Sequence, residues 1–146
     1  MDTPIGPLTL LSSPRGLSRV LFGPGPSTES PFVEQARREI EEYFAGRRRE
    51  FTVPLDWSGA TGFRGRVQRR LLSLGYGETT SYGALAAALG SPGASRAVGS
   101  GCRTNPLPLV VPCHRVLRAD GSLGGYAGGL AAKRLLLDLE GAAYTV

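Results

Sequence analysis

Two cysteines, one histidine, one methionine and one tryptophan are all that these 146 residues hold of those four types. Cys102 and Cys113 form no CxxC motif, and with His114 they cannot supply four zinc ligands unless carboxylates fill in. No metal and no organic cofactor is expected. No apolar run reaches the ~18 residues of a spanning helix, so no membrane association is expected. The opening "MDTPIGPLTLLSSPRG" lacks the basic and apolar regions of a secretory signal, which predicts a cytoplasmic protein with reduced thiols. Internal repeats and long low-complexity tracts are absent too.

What is present suffices for a folded core. Hydrophobic residues make up 41% of the chain and charged residues 20%, the balance of a globular protein. The length fits one full-sized domain, or a domain with a small appendage. The net charge of +5 is unevenly spread. Residues 1–60 hold seven arginines against eight acids, whereas residues 61–146 hold ten Arg or Lys against four acids. The positive excess lies wholly in the second part. That points towards a polyanion as partner, although an arginine-rich solvated face gives the same composition.

"LTLLSS" and "LSRVLF" read as two strands joined by "PRG", a hairpin, and "GPGPSTESP" as a loop. Phe32, Val33, Ala36, Ile40, Tyr43 and Phe44 recur at helical spacing, and Gly46 closes that helix. "REFTVPLDWSG" predicts a brief strand and then a linker, with a boundary near residues 55–61. "FRGRVQRRLLSLG" predicts a helix with Phe63, Val67, Leu71, Leu72 and Leu74 inward and Arg64, Arg66, Arg69 and Arg70 outward. "TSYGALAAALG" begins at a Ser or Thr cap and ends at Gly90; the next helix restarts after Pro92 and stops before Asn105-Pro106. Two short helices across a Gly/Pro turn suggest a helix-turn-helix, or else a plain helical hairpin in a core. "GGLAAKRLLLDLEG" is a last amphipathic helix ending at Gly141. The expected class is α+β. A small sheet-plus-helix domain spans residues 1–58, and a mainly helical domain with the helix-turn-helix spans residues 59–146.

Within "LVVPCHRVL", residues 109–117, Cys113 adjoins the single histidine. A thiol is a good nucleophile only as thiolate, and its free pKa is about 8.5, so a nearby base matters. Adjacent side chains of an extended segment point to opposite faces. If this segment is extended, His114 reaches Cys113 only through a water or a local turn. Cys-His hydrolases draw the pair from separate segments, which argues against that chemistry. On these residues alone, a buried structural thiol and a satisfied core imidazole remain the alternative. Cys102 has no basic neighbour and reads as a packing residue; Arg103 reads as a phosphate contact.

From Phe63 to Glu140 the chain closely resembles the O6-alkylguanine-DNA alkyltransferases, the methylated-DNA–protein-cysteine methyltransferases. The matching stretches stand in order: "GYGETTSYGALAAALGSP", "SRAVGSGCRTNPLPLVVPCHRVL" and "DGSLGGYAGGLAAKRLLLDLEG". "DTPIGPLTLL" and "FTVPLD" resemble, more loosely, that family's small N-terminal, RNase H-like domain. The resemblance implies a monomeric suicide repair protein. Such a protein binds duplex DNA containing O6-alkylguanine, turns the base out of the stack and moves the alkyl group onto its own cysteine. Activity on O4-alkylthymine is a further option.

By the same resemblance Cys113 is the acceptor, Glu140 orients His114, and His114 activates the thiol through a water. Arg96 enters the stack in place of the extruded base. Tyr82 presses on the flipped nucleotide's phosphate, and its phenol is also placed to donate to O6. Asn105 joins the recognition helix to the active-site segment. Ala97, Gly99 and Arg103 belong to the DNA-binding helix. Pro108, Val116, Tyr126, Ala127 and Gly128 line the guanine pocket. Gly124 and Gly125 have no side chains, so the rim would admit groups larger than methyl.

Some positions depart from the family pattern. Phe63-Arg64 and Val67-Gln68 stand where Phe-Gln and Val-Trp are common, and Ala127 stands where serine is common, which puts one base contact in question. The cysteine-rich zinc module of regulatory relatives has no counterpart here, so repair without transcriptional control is expected. Three rivals remain. Non-catalytic lesion-binding relatives replace the acceptor cysteine, which Cys113 disfavours. A helix-turn-helix regulator leaves "PCHRV" and "GGYAGGL" unused, and a thiol hydrolase suffers from the adjacency of Cys113 and His114.

Overall fold

In the computed structural model, which describes every residue from Met1 to Val146, the chain forms two units, Met1–Ser58 and Gly59–Val146. In the first, β1 (Leu8–Ser13) pairs antiparallel with β2 (Gly16–Phe22), and the register is broken by an irregularity between Leu11 and Ser12. Alternation puts Leu8, Leu10 and Val20 into the core. There they meet the stripe of Val33, Ala36, Ile40 and Tyr43 on α1 (Pro31–Phe44). Ser30 caps α1 by accepting from Val33 N at 3.1 Å, and Pro31 occupies its first position.

The strand expected in "REFTVPLDWSG" does not form. Buried Glu39 of α1 accepts from the Thr52 and Val53 amides at 2.8 and 3.1 Å, so those donors go to a carboxylate rather than to a ladder. Only a single bridge, Leu17 to Leu55, remains.

The second unit is mostly helical: α2 (Gly62–Leu71), α3 (Tyr82–Ala88), α4 (Ser95–Arg103) and α5 (Leu130–Glu140). A two-residue parallel pair, β3 (Thr80–Ser81) with β4 (Val116–Leu117), ties the start of α3 to the segment after Cys113. On α2, Val67 and Leu71 are buried and the four arginines lie outside, but Leu72 is half exposed because the helix ends at Leu71. Gly65 and Gln68 share the buried face instead. Ser81 caps α3 by accepting from Ala84 N. Gly101 lets α4 lie against α2, for a Cβ there would stand 2.9 Å from Val67. Ala84 and Ala87 on α3 and Ala97 on α4 are exposed. No helix is long and apolar enough to cross a membrane.

Candidate active site

Pro112 bends the chain at ψ 66°, and Cys113–Arg115 form one 3₁₀ turn before β4. This segment is therefore not extended. In a 3₁₀ turn neighbouring side chains diverge by about a third of a turn rather than half. Cys113 and His114 are both buried. Just upstream, the Asn105 amide donates to Val111 O at 2.9 Å and accepts from Leu107 N at 3.0 Å. It thereby fixes the turn that carries Leu109 at φ 74° and joins the end of α4 to Cys113.

The last turn of α5 brings Glu140 against His114 and Arg115. His114 Nε2 lies 2.8 Å from Oε2 of Glu140. Arg115 grips the same carboxylate through Nε to Oε1 and Nη2 to Oε2, each at 2.9 Å, and its Nη1 donates to Leu74 O at 2.6 Å. A carboxylate held by a guanidinium offers only lone pairs, so Nε2 of His114 carries the proton. Nδ1, which has no protein partner, then keeps the free pair. Burial holds the imidazole below its usual pKa although the Glu140 bond opposes this, so His114 is neutral near pH 7. Burial pushes the Cys113 thiol up; a bond with the Asn105 side chain and the Lys133 charge pull the other way. At neutral pH Cys113 is a thiol next to a neutral imidazole.

Cys113 opens on a cavity of about 480 Å³. Ser95, Gly99 and Cys102, spaced along one face of α4, form one wall. Tyr82, at the first position of α3, and the loop residues Gly124, Tyr126 and Ala127 form another. Arg96, Arg103 and Arg118 make a cationic rim, exposed to solvent. Burial raises the Tyr82 pKa and, more strongly, that of Tyr126, so both phenols are donors at neutral pH.

Of the residues singled out in the sequence, Cys113, Tyr82, Arg96, Gly99, Arg103, Tyr126 and Ala127 line this cavity. His114, Glu140 and Asn105 stand behind or beside the thiol. Four do not line it. Val116 is fully buried in β4, with its carbonyl taken by Lys133. Pro108 is buried in the turn before Cys113, Gly128 falls just past Ala127, and Ala97 sits on the exposed side of α4. Gly124 does not widen the rim either, because Tyr82 packs on it: a Cβ there would stand 2.9 Å from the hydroxyl. At Gly125 nothing lies within 4 Å, so the space there is open.

Sequence reasoning missed Arg115, Lys133, and Cys102 as a wall of the cavity. A signal existed for one of them. Lys133 and Glu140 flank Leu136 and Leu137 at helical spacing, so both ionisable residues fall on the apolar stripe of α5, and all four are buried.

Comparison with known proteins bears on this geometry. Residues 62–142 match the family described as 6-O-methylguanine DNA methyltransferase, DNA binding domain; residues 1–57 match 6-O-methylguanine DNA methyltransferase, ribonuclease-like domain. The chain is 47% identical over 152 residues to a methylated-DNA–protein-cysteine methyltransferase of Mycobacterium tuberculosis, covering 96% of this chain and 89% of the relative. It is 44% identical over 147 residues to a DNA base-flipping protein of Thermus thermophilus, covering 97% and 98% of the two chains. The crystal structure of Mycobacterium tuberculosis OGT in complex with DNA superposes with a TM-score of 0.88 at 43% identity, covering 96% of this chain and 89% of that one. With both domain families matched in order and relatives aligned over nearly its full length, the chain belongs to the 6-O-methylguanine DNA methyltransferase family.

Proposed function

We propose that this chain repairs alkylated DNA by direct reversal, turning O6-alkylguanine out of the duplex and taking the alkyl group once onto Sγ of Cys113. The observation that carries this reading is a buried thiol at the end of a cavity walled by α4, with a neutral histidine beside it. A nucleobase fits a space of about 480 Å³, and the arginine rim suits phosphate.

Nδ1 of His114 accepts the Cys113 proton through a water, while Glu140, neutralised by Arg115, steadies the imidazolium. The sulfur attacks the alkyl carbon, the S–C bond forms as the C–O6 bond breaks, and the electron pair leaves on the guanine. Tyr82 donates to O6 as that charge develops. The proton lost by the thiol balances the one gained by the base, leaving a thioether and an intact guanine. Thiol exchange does not reverse a thioether, so each molecule acts once. Arg96, exposed at the rim, enters the stack and offsets part of the few kcal/mol that extrusion costs. In this reading residues 59–146 hold both the DNA-binding and the acceptor machinery, and the protein works as a cytoplasmic monomer without a cofactor.

The test is peptide mass spectrometry after mixing with duplex DNA that carries one O6-methylguanine. Gain of one CH₂ on the Cys113 peptide, saturating at one per chain, is expected. Cys113→Ala should bind the lesion and transfer nothing. No gain with selective lesion binding would make the chain a base-flipping binder, and no lesion preference at all would overturn both readings.

A further inference from the structure

Lys133 is the chain's single lysine, against sixteen arginines, and it is completely buried. Its ammonium donates to three backbone carbonyls: Val116 O at 2.7 Å, Leu123 O, and Gly125 O at 3.2 Å. Three donors meet three acceptors, a match that the planar fork of arginine does not give. The acceptors come from two places. Val116 begins β4, directly after the Cys113 turn and paired with Thr80 of β3. Leu123 and Gly125 flank Gly124, whose backbone lies so close to Tyr82 that a Cβ would stand 2.9 Å from the hydroxyl.

We infer that Lys133 is a positioning residue for alkyl transfer, holding the Leu123–Gly125 wall of the cavity against Tyr82 and in register with the acceptor segment. The inference rests on the alkyl-transfer reading above. One ammonium fixes the distance between the strand that follows the nucleophile and the loop that bounds the base. Without it two buried carbonyls and the part-buried carbonyl of Gly125 lose a charged donor together, and the loop loses its tie to β4. The titratable groups that act on Lys133 are few: Cys113 and Cys102, when ionised, favour its ammonium form, and Arg118 opposes it. Burial outweighs them and lowers its pKa to about 8. The clamp is therefore charged at pH 7 and discharges as the medium turns mildly alkaline.

The test is single-turnover transfer from lesion duplex and from free O6-benzylguanine, with wild type and Lys133→Met, between pH 6.5 and 9.5. At pH 7 the saturating rate of the variant should fall on the order of ten- to a hundredfold with both donors, since small misplacements near reacting groups cost this much. Affinity for undamaged duplex should stay within about twofold, because α4 and its arginines are untouched. The ratio of wild-type to variant rate should shrink as pH rises through about 8, since the lysine loses its charge there and the methionine has none. A variant as fast as wild type, or a ratio independent of pH, overturns the inference while leaving the transfer reading intact. A wild type that transfers nothing overturns that reading and this inference with it. If Lys133→Met does not fold, hydrogen exchange on the wild type decides. Protection of the Arg118 and Gly129 amides, which donate to Ser122 O and Tyr126 O at the two ends of this loop, should drop between pH 7 and 9 after correction for intrinsic rate, and unchanged protection overturns the clamp.

Discussion

At the scale of residues, two buried side chains meet at one carboxylate. Glu140 binds His114 and Arg115 together, so its charge fixes the tautomer of the first and balances the second. Replacing it by an amide leaves Arg115 buried without a counter-charge. Glu140→Gln is expected to lose about 3 kcal/mol in urea denaturation, the cost of breaking one side of a buried pair, and to slow transfer markedly. A variant as stable as wild type would show that the pair is not worth its desolvation. His114 makes a second prediction, in pH. Its folded pKa lies below the unfolded value of 6.5, so the unfolded chain takes up a proton that the folded chain refuses. This group's contribution to stability is complete above pH 6.5 and falls below it, with a slope of up to about 1.4 kcal/mol per pH unit. Denaturation at pH 7 and pH 5.5, compared with a His114→Gln variant, measures the difference.

At the scale of elements, the position of α4 depends on how closely it approaches α2. Gly101 is the contact point, and the Gln68 amide donates to its carbonyl at 3.3 Å. Gly101→Ala places a methyl group 2.9 Å from the Cβ of Val67, which is stiff and has nowhere to turn. The variant should lose about 1–3 kcal/mol by calorimetry, and its affinity for lesion duplex should fall as α4 tilts. Unaltered stability would mean that the two helices separate freely. Much of this level was legible in the sequence. The hairpin, α1, α3, α4 and α5 follow from apolar period, Ser30 and Ser81 caps, and the glycines at 46, 90 and 141. The strand expected near Thr52 was not, because a buried glutamate from a distant helix claims its amides. Nor was the turn at Cys113–Arg115, which depends on Asn105 and on β3 meeting β4.

At the scale of the molecule, charge and cavity act together. The positive excess of residues 61–146 places Arg96, Arg103 and Arg118 around the mouth of the cavity. Binding to duplex should therefore weaken steeply with salt, roughly in proportion to the number of phosphates neutralised, and titration between 50 and 200 mM salt measures the slope. Arg96→Ala should slow transfer from lesion duplex far more than transfer from the free base, which needs no extrusion. Equal losses with both donors would deny Arg96 a part in flipping.

The sequence by itself determined the α+β class, the two short helices α3 and α4, and the family. Period, caps and motif order are local properties, written along the chain. It also singled out Cys113, His114, Arg96 and Tyr82. The tertiary structure alone decided which groups meet. Arg115 and Lys133 are charged residues that a sequence assigns to solvent, and only the family resemblance set Glu140 against His114; all three are buried because α5 packs its apolar stripe onto the Cys113–Arg115 turn. The same packing moved Val116 and Pro108 out of the proposed pocket and into the core. Proximity between residues more than twenty positions apart follows from packed surfaces, and no local pattern encodes it.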